Sequence, residues 1–257
     1  MTPAQVRATY DEAYARRYEA SFLFTSEYGF REKMLLELFL LRMLSLQADS
    51  WLDVACGTGF FLRHGRGNPR ISCVGLDLSP AMLALARGAN PEGLFVEGDF
   101  LAPHPDFEGR FALTSCMWGA YGLQESVAHV ERLAENLTRW TRPGGTVFLP
   151  VFDPARFVVL QSEGRLMAGV TLRAPDGTRW SYLEPDGKLH EDVLAPPIEV
   201  MRAMFEPAFE SVEIRPYPDT PGVPMAALIA RDRREPVKLS NNRFISGGVH
   251  HGQEAHR

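Results

Sequence analysis

The chain has 257 residues, 45% of them hydrophobic, which is enough apolar surface for a full core in one large or two small domains. Its net charge of −5 gives no general basic surface, which argues against a nucleic-acid partner. No apolar run approaches the roughly 20 residues of a membrane span, and no signal-peptide pattern opens the chain. The three cysteines lack CxxC spacing. We therefore expect a cytoplasmic protein with reduced thiols and no metal site.

Two helices are predicted in the first part of the chain. Tyr10, Tyr14 and Tyr18 recur every four residues and would share one face of a helix over residues 4–20. These rings either pack the helix on the domain, or one hydroxyl reaches a ligand. The second helix, over residues 31–46, is strongly apolar and is expected to be buried between a sheet and the surface.

From residue 50 onward, strand patterns alternate with helix patterns. The predicted strands cover residues 50–54, 71–76, 94–97, 111–117 and 146–151. Helices are predicted to begin near Gly59, at Ser79, which is a good N-cap before Pro80, and at Ser126. Repeated strand–helix units of this length imply right-handed crossovers and a parallel sheet with helices on both faces. The predicted class is therefore α/β and Rossmann-like.

This alternation stops between residues 154 and 196. Two Pro-Asp-Gly turns separate short strand-like runs there, which predicts a small antiparallel hairpin or meander rather than another helix–strand unit. A helix over residues 198–205 and strands near 211–214 and 226–230 are expected to follow. Residues 233–257 are polar and aperiodic and are predicted to form a flexible tail.

The run that carries most of the chemistry is an acidic residue followed by a glycine turn. Asp53 ends the first strand, and Gly57 and Gly59 open the next helix, where free N–H groups can face a ligand. Together with Asp77 at the end of the second strand, this arrangement predicts a nucleoside cofactor. A dinucleotide site would have a third glycine where Leu62 stands, which disfavours NAD.

Four segments in register resemble motifs of the class I S-adenosylmethionine-dependent methyltransferases. They are Asp53–Gly59, Gly75–Ser79, Glu97–Phe100 and Arg142–Thr146, and the resemblance covers roughly residues 50–152. It implies a seven-stranded sheet whose last strand is antiparallel. The implied organisation has cover helices in 1–48, the methyltransferase domain in 49–232 with residues 154–196 inserted as a substrate lid, and the tail in 233–257.

The resemblance also implies which residues bind S-adenosylmethionine. Asp53 would hold its ammonium group, Asp77 would accept hydrogen bonds from both ribose hydroxyls, and Asp99 would accept one from the adenine amine. Each acid could instead be a helix N-cap or a turn residue. The residues predicted to contact the cofactor come from the motif turns and one N-terminal tyrosine: Tyr14, Asp53, Ala55, Gly57, Gly59, Asp77, Leu78, Asp99 and Phe100.

The predicted acceptor side of the site is less closely specified. Trp118 and Tyr121, after the fourth strand, and Tyr182, in the insertion, are expected to bind the substrate, although aromatic packing of a loop on the sheet is the alternative. Tyr121 is also a candidate catalytic residue. Asp153 either orients or deprotonates the substrate or caps a turn before Pro154. These assignments depend on how the insertion folds.

Two histidines complete the candidates. His190 is predicted to be the general base if the insertion folds over the pocket, and a surface histidine otherwise. His129, on a charged helix, is expected to be exposed.

The sequence thus predicts a methyltransferase that transfers a methyl group from S-adenosylmethionine to an O or N of a small molecule, of the sugar and natural-product type. Two alternatives remain open: an NAD-dependent oxidoreductase, and a non-catalytic S-adenosylmethionine-binding module. The tetrapeptide typical of nucleic-acid amino methyltransferases does not follow the fourth strand. We expect no nucleic-acid or membrane partner and allow for a homodimer.

Overall fold

In the computed structural model, residues 1–23, 30–184, 187–217 and 222–235 are described. The strands of these residues form two sheets, one of seven strands and one of three. In chain order they are β1 (Ser50–Val54), β2 (Ser72–Asp77), β3 (Leu94–Glu97), β4 (Phe111–Cys116), β5 (Thr141–Phe152), β6 (Val170–Leu172), β7 (Arg179–Leu183), β8 (Leu189–Leu194), β9 (Phe209–Pro216) and β10 (Met225–Arg233).

The helices lie before the first strand, between the strands and after the insertion. They are α1 (Pro3–Thr9), α2 (Glu12–Tyr18), α3 (Phe30–Ser45), α4 (Phe60–His64), α5 (Pro80–Ala89), α6 (Val127–Trp140), α7 (Pro154–Ser162) and α8 (Ile198–Ala203). Side-chain oxygens cap several of their N-termini: Ser79 accepts from the Met82 N–H, and Ser126 from the His129 N–H. Within the described ranges, no helix combines the length and the apolarity needed to cross a membrane.

The large sheet has the order β3-β2-β1-β4-β5-β10-β9, and β10 runs opposite to the other six strands. The predicted fold class and the antiparallel last strand are therefore confirmed. The chain leaves β1 towards β2 on one side and later returns to β4 on the other. Open parallel sheets bind ligands at such a reversal, beyond the carboxyl ends of the strands.

Four local predictions were wrong. The first helix is divided into α1 and α2, because Asp11 caps a new helix with its side chain. Strand β5 begins at Thr141 rather than at residue 146, and its pairing with β4 is irregular between Phe111 and Leu113. The insertion begins with α7, a regular helix. Helix α3 is not fully buried, since Leu35, Phe39 and Met43 are 51–60% exposed.

The N-terminal helices and the three-stranded antiparallel sheet lie on the same side of the large sheet's edge. The Tyr10 carbonyl accepts a hydrogen bond from Ser79 at 2.5 Å, which ties the α1–α2 junction to the turn after β2. Lys188, just before β8, donates to the Thr9 carbonyl at 2.9 Å. Both predicted covers therefore meet over the carboxyl ends of the strands. The proposed domain boundaries stay a prediction, and residues 236–257 of the predicted tail, including His250, His251 and His256, lie outside the described residues.

Candidate functional site

A cavity of about 240 Å³ opens at the carboxyl ends of the parallel strands, under the N-terminal helices and beside β7 and β8. Most of the predicted site residues line it: Tyr14, Asp53, Ala55, Gly57, Asp77, Leu78, Asp99, Phe100, Trp118 and Tyr182. The residues at the ends of β1, β2 and β3 and in the turns that follow them, from Asp53 to Phe100, form what we call the motif half. Those after β4 and β5 and in the insertion, including Trp118 and Tyr182, form the loop half.

The turn after β1 has an unusual backbone because it bends sharply at the sheet edge. Ala55 and Gly57 both have positive φ, +54° and +53°, and the Cys56 N–H donates to the Leu76 carbonyl of β2 at 3.1 Å. A Cβ built on Gly57 would meet no atom within 4 Å. Because Gly57 lines the cavity, that space is open to a ligand lying against the backbone.

Gly59 does not line the cavity, and its predicted contact with the cofactor needs correction. A Cβ on Gly59 would come within 2.7 Å of the Asn90 side-chain nitrogen and 3.2 Å of the Phe95 ring. Gly59 also has φ +70°, a region that L side chains rarely adopt. This glycine is therefore required for packing between the turn, α5 and β3 rather than for the ligand.

Asp77 braces the glycine turn and faces the cavity at the same time. Its two carboxylate oxygens accept the N–H groups of Gly57 and Ser79, each at 2.8 Å. Burial raises the pKa of Asp77, although these backbone hydrogen bonds oppose the shift. Since each oxygen has two lone pairs, the carboxylate can hold the turn and still accept hydrogen bonds from a ligand. The structural and ligand-binding interpretations are thus compatible.

Asp53 carries a polar atom without a partner. Its Oδ1 accepts the Ser115 hydroxyl at 2.6 Å, and Ser115 in turn accepts the Trp51 indole N–H at 2.8 Å. Its Oδ2 is buried and has no hydrogen-bond partner among the described residues. Burial, with a smaller contribution from the charge of Asp77, raises the pKa of Asp53 to about 7. A buried orphan oxygen of this kind in a cavity calls for a donor or cation from a ligand.

The turn after β3, which contains Asp99 and Phe100, completes the motif half. Asp99 accepts the Leu101 N–H at 2.8 Å, so it also shapes its own turn. Phe100, 8% exposed, is held by its carbonyl, which accepts from the Asn136 side chain at 2.8 Å. The motif half therefore places three carboxylates and an aromatic ring around one end of the cavity.

The loop half is aromatic, and its backbone is tightly constrained. Trp118 has a positive φ of +58°, and its ring lies 6.2 Å from that of Phe61. The next residue, Gly119, faces the Phe152 ring so closely that a Cβ would overlap it. Trp118, Phe152 and Tyr182 all line the cavity, which agrees with the substrate-binding positions predicted for Trp118 and Tyr182.

His129 and Glu125 also line the loop half, although His129 was expected to be exposed. Ser126 caps α6, which places His129 in the first turn of that helix, half-buried at the sheet edge. The signal was available in the sequence: a helix that begins directly after the β4 loop has its first turn on the ligand-binding edge.

Neither Tyr121 nor Asp153 lines the cavity, so the structure does not support their predicted roles at the substrate. Tyr121 is fully buried, and its hydroxyl accepts the Phe152 N–H at 2.7 Å, which anchors the β4 loop to β5. Asp153 is the N-cap of α7 and accepts the Arg156 N–H at 3.0 Å. The packing and capping alternatives therefore describe these two residues, and neither has contact with a reacting group.

His190 is buried rather than on the surface, yet it does not line the cavity. Its Nε2 is hydrogen-bonded to Oε1 of Glu184, and the Tyr14 hydroxyl donates to the same oxygen at 2.7 Å. All three side chains are no more than 5% exposed. His190 thus reaches the cavity only through Glu184 and Tyr14, so its predicted role as a direct general base needs correction.

The three N-terminal tyrosines line the cavity and also pack together. The Tyr14 ring lies 5.1 Å from that of Tyr10, nearly perpendicular to it, and 5.9 Å from that of Tyr18. The rings therefore pack together, as one of the two interpretations predicted, and contact of a tyrosine hydroxyl with a ligand stays a prediction. Within the described ranges, no group of three or more His, Cys, Asp or Glu side chains is placed to hold a metal ion.

Residues 52–145 match the family model of a methyltransferase domain, which confirms the resemblance predicted from the motifs. Among curated proteins, the chain is 34% identical over 152 residues to the dTDP-3-amino-3,6-dideoxy-α-D-glucopyranose N,N-dimethyltransferase of Streptomyces fradiae. That match covers 58% of this chain and 56% of the relative. The chain spans about half the length of the curated relatives it matches.

Solved structures agree in fold over more of the chain. DesVI of Streptomyces venezuelae superposes with a TM-score of 0.59 at 19% identity, covering 85% of this chain and 98% of that protein. CalS10, an amino pentose methyltransferase from Micromonospora echinaspora solved with S-adenosylmethionine bound, gives a TM-score of 0.59 at 22% identity, covering 84% and 96%. At these identities, the likeness establishes the fold.

Proposed function

We propose that this chain is an S-adenosylmethionine-dependent methyltransferase that methylates an amine nitrogen of a small-molecule acceptor, of the amino-sugar type. The observation that carries the proposal is the orphan Oδ2 of Asp53, buried beside an open glycine turn. That pair fits a ligand that carries an ammonium group and lies against the backbone of the turn. The methionine and ribose parts of S-adenosylmethionine have this chemistry.

The motif half supplies the remaining contacts for the methyl donor. Asp77 would accept hydrogen bonds from the two ribose hydroxyls, as a carboxylate with free lone pairs can. Asp99 and Phe100 border the region for the adenine, through an acceptor oxygen and an aromatic face. Leu78 adds an apolar wall. The sequence motifs and the family match over residues 52–145 support the same assignment.

The loop half suits an amine acceptor. When bound, S-adenosylmethionine supplies an electrophilic methyl group on sulfur, and the S–C bond breaks with its electron pair going to sulfur while the nitrogen lone pair forms the new N–C bond. The protein's main task is alignment and exclusion of water. Trp118, Phe152 and Tyr182 would wall the acceptor, while Gln124, Glu125 and His129 are polar residues that line the same half.

Several relatives are named for amine methylation of sugars, including the 34% identical protein of Streptomyces fradiae. This supports nitrogen over oxygen as the methylated atom. Among the described residues, His129 is the only histidine that lines the cavity, so it is the residue we propose to receive or orient the proton of the attacking amine. The cytoplasmic location and the homodimer stay predictions.

Calorimetry with S-adenosylmethionine, S-adenosylhomocysteine and NAD tests the donor. We expect binding of the first two, and preferential binding of NAD would contradict the proposal in favour of the oxidoreductase. Mass spectrometry after incubation with dTDP-3-amino-3,6-dideoxy-α-D-glucopyranose and simpler amino sugars tests the acceptor. A mass gain of one or two methyl groups on nitrogen is the expected result. Methylation on a hydroxyl would correct the acceptor atom, and donor binding without any transfer would favour the non-catalytic module.

A further inference from the structure

Glu184 and His190 form a buried polar pair that the proposed reaction does not yet use. Glu184 directly follows β7, and His190 lies in β8, so both belong to the insertion. They are 4% and 5% exposed. A buried carboxylate is costly unless hydrogen bonds satisfy it, and here both satisfying groups meet the same oxygen: His190 Nε2 and the Tyr14 hydroxyl.

We propose that Glu184 and His190 are positioning residues for methyl transfer: they hold the Tyr14 hydroxyl proton away from the reacting groups, so that the Tyr14 oxygen faces the cavity as a hydrogen-bond acceptor. This inference rests on the proposed function. It assigns no direct chemistry to either residue, because neither lines the cavity. Their effect passes entirely through Tyr14, which does line it.

The direction of the Tyr14 hydrogen bond follows from the charges around it. Burial alone would raise the pKa of Glu184, but the hydrogen bonds from His190 and Tyr14 bring it below its usual value, so the group is a carboxylate. Burial raises the pKa of Tyr14 far above its usual value, so the phenol keeps its proton. A phenol beside a carboxylate donates to it, and its oxygen lone pairs remain for another donor.

The Tyr14 ring cannot easily turn away from this arrangement. The Lys188 ammonium lies 3.7 Å from its centroid, and the Arg17 guanidinium 4.9 Å. On the other side of the pair, the His190 ring stacks on the Tyr182 ring, with 4.4 Å between the ring centroids and 7° between the ring planes. Tyr182 itself lines the loop half, so the insertion fixes one cavity wall and one hydroxyl with the same pair of residues.

An acceptor oxygen at this place serves the attack of an amine. The nitrogen must be neutral and must direct its lone pair at the methyl group, and an oxygen that accepts one of its N–H groups fixes that orientation. As the new N–C bond forms, positive charge develops on nitrogen. A lone pair aimed at its N–H then stabilises the transition state more than the ground state.

A double-mutant cycle between Tyr14→Phe and Glu184→Gln tests the inference. In single-turnover methylation at saturating amino sugar, we expect Glu184→Gln to slow transfer about tenfold in the wild-type background. In the Tyr14→Phe background the same change should alter the rate less than twofold, because the hydroxyl it acts on is gone. Additive effects in the cycle would overturn the inference, as would an unchanged rate with a lower Tm.

Two further readouts cover the other outcomes. His190→Phe keeps the ring stacked on Tyr182 and removes only the hydrogen bond, so slowed transfer without a change in acceptor KM is expected even if Glu184 variants fold poorly. The nitrogen spectrum of ¹⁵N-labelled histidine measures the chain without any reaction. The His190 Nε2 signal should shift in Tyr14→Phe, and an unshifted signal would overturn the inference. If wild type binds the donor but methylates nothing, the proposed function fails while this spectrum still decides whether the chain of hydrogen bonds exists.

Discussion

The two halves of the cavity are built in different ways. The motif half comes from the turns after β1, β2 and β3, and its acids accept backbone N–H groups of those turns: Asp77 accepts from Gly57, in the turn after β1, and from Ser79, and Asp99 accepts from Leu101. The loop half joins residues from the β4 loop, the end of β5 and the insertion. Local sequence therefore shapes the first half, whereas long-range packing shapes the second. The difference predicts that substitutions in the two halves affect different steps.

The largest effect is expected for Asp77→Ala in the motif half. It removes the proposed acceptor of the ribose hydroxyls and the acceptor of two backbone N–H groups, each a charge-assisted hydrogen bond of roughly 1.5–3 kcal/mol. Calorimetry should show S-adenosylhomocysteine binding weakened roughly 10- to 100-fold. The Asp77→Asn variant, which keeps the shape and one acceptor oxygen, should lose less. Wild-type affinity in the alanine variant would refute the ribose contact.

Asp53 predicts a pH dependence of donor binding. In the free protein its pKa is about 7, so below pH 7 it must release a proton before it can pair with an ammonium group. Affinity for S-adenosylhomocysteine should therefore rise up to about tenfold per pH unit until about pH 7 and then level off. Asp53→Asn should remove the slope. A slope that persists in this variant would assign the titration to another group.

The same group has an opposite effect on the free protein's stability. The folded-state pKa of Asp53 lies above its unfolded value, so the folded state binds more protons between about pH 4 and pH 7. The free energy of unfolding should therefore fall as the pH rises through that window, which urea denaturation at several pH values measures. Added S-adenosylhomocysteine should reverse the trend, because pairing with the ammonium favours the charged carboxylate.

In the loop half, His129→Ala should lower kcat/KM for the amine about tenfold, at the low end for a group that orients or accepts a proton. Donor affinity should stay within twofold, since the residue lies beyond the motif half. His64→Ala, at an exposed histidine of α4 outside the cavity, is the control. If His129→Ala weakened the donor and left the acceptor kinetics unchanged, the division into halves would be wrong.

The smallest catalytic effects are expected for Tyr121→Phe and Asp153→Ala. Tyr121→Phe leaves the buried Phe152 N–H without its acceptor, and Asp153→Ala removes the cap of α7, each at a cost of about 1 kcal/mol. Thermal denaturation should show lower Tm values. Single-turnover rates should remain within twofold of wild type. A larger loss would support the catalytic roles first predicted for these residues.

The contrast between the halves also explains which predictions were confirmed. Strand–helix alternation and the four motifs were enough for the seven-stranded sheet, because each unit is built from local patterns. Asp53, Asp77 and Asp99 line the cavity because each lies at or just after the end of a strand, and their contacts with the cofactor stay a proposal. Gly59 was misassigned, because the sequence cannot tell a glycine that makes room for a ligand from one that makes room for Asn90.

The loop half depended on contacts that no local pattern records. Whether Tyr121 faced the cavity or the core was decided by the Phe152 N–H of β5, 31 residues away. His190 is connected to Tyr14 through Glu184 only because the insertion folds back on the N-terminal helices. No local pattern in the sequence indicates Glu184 as a functional residue.

The sequence by itself determined the α/β fold, the motif turns and the resemblance on which the proposed methyl-donor site rests, because hydrophobic periodicity, strand ends and glycine turns are local properties of the chain. The tertiary structure alone decided which side chains face the acceptor and how Tyr14 is oriented. The physical reason is that burial and hydrogen-bond pairing depend on residues that are distant in the chain and become neighbours only when both covers close over the sheet edge.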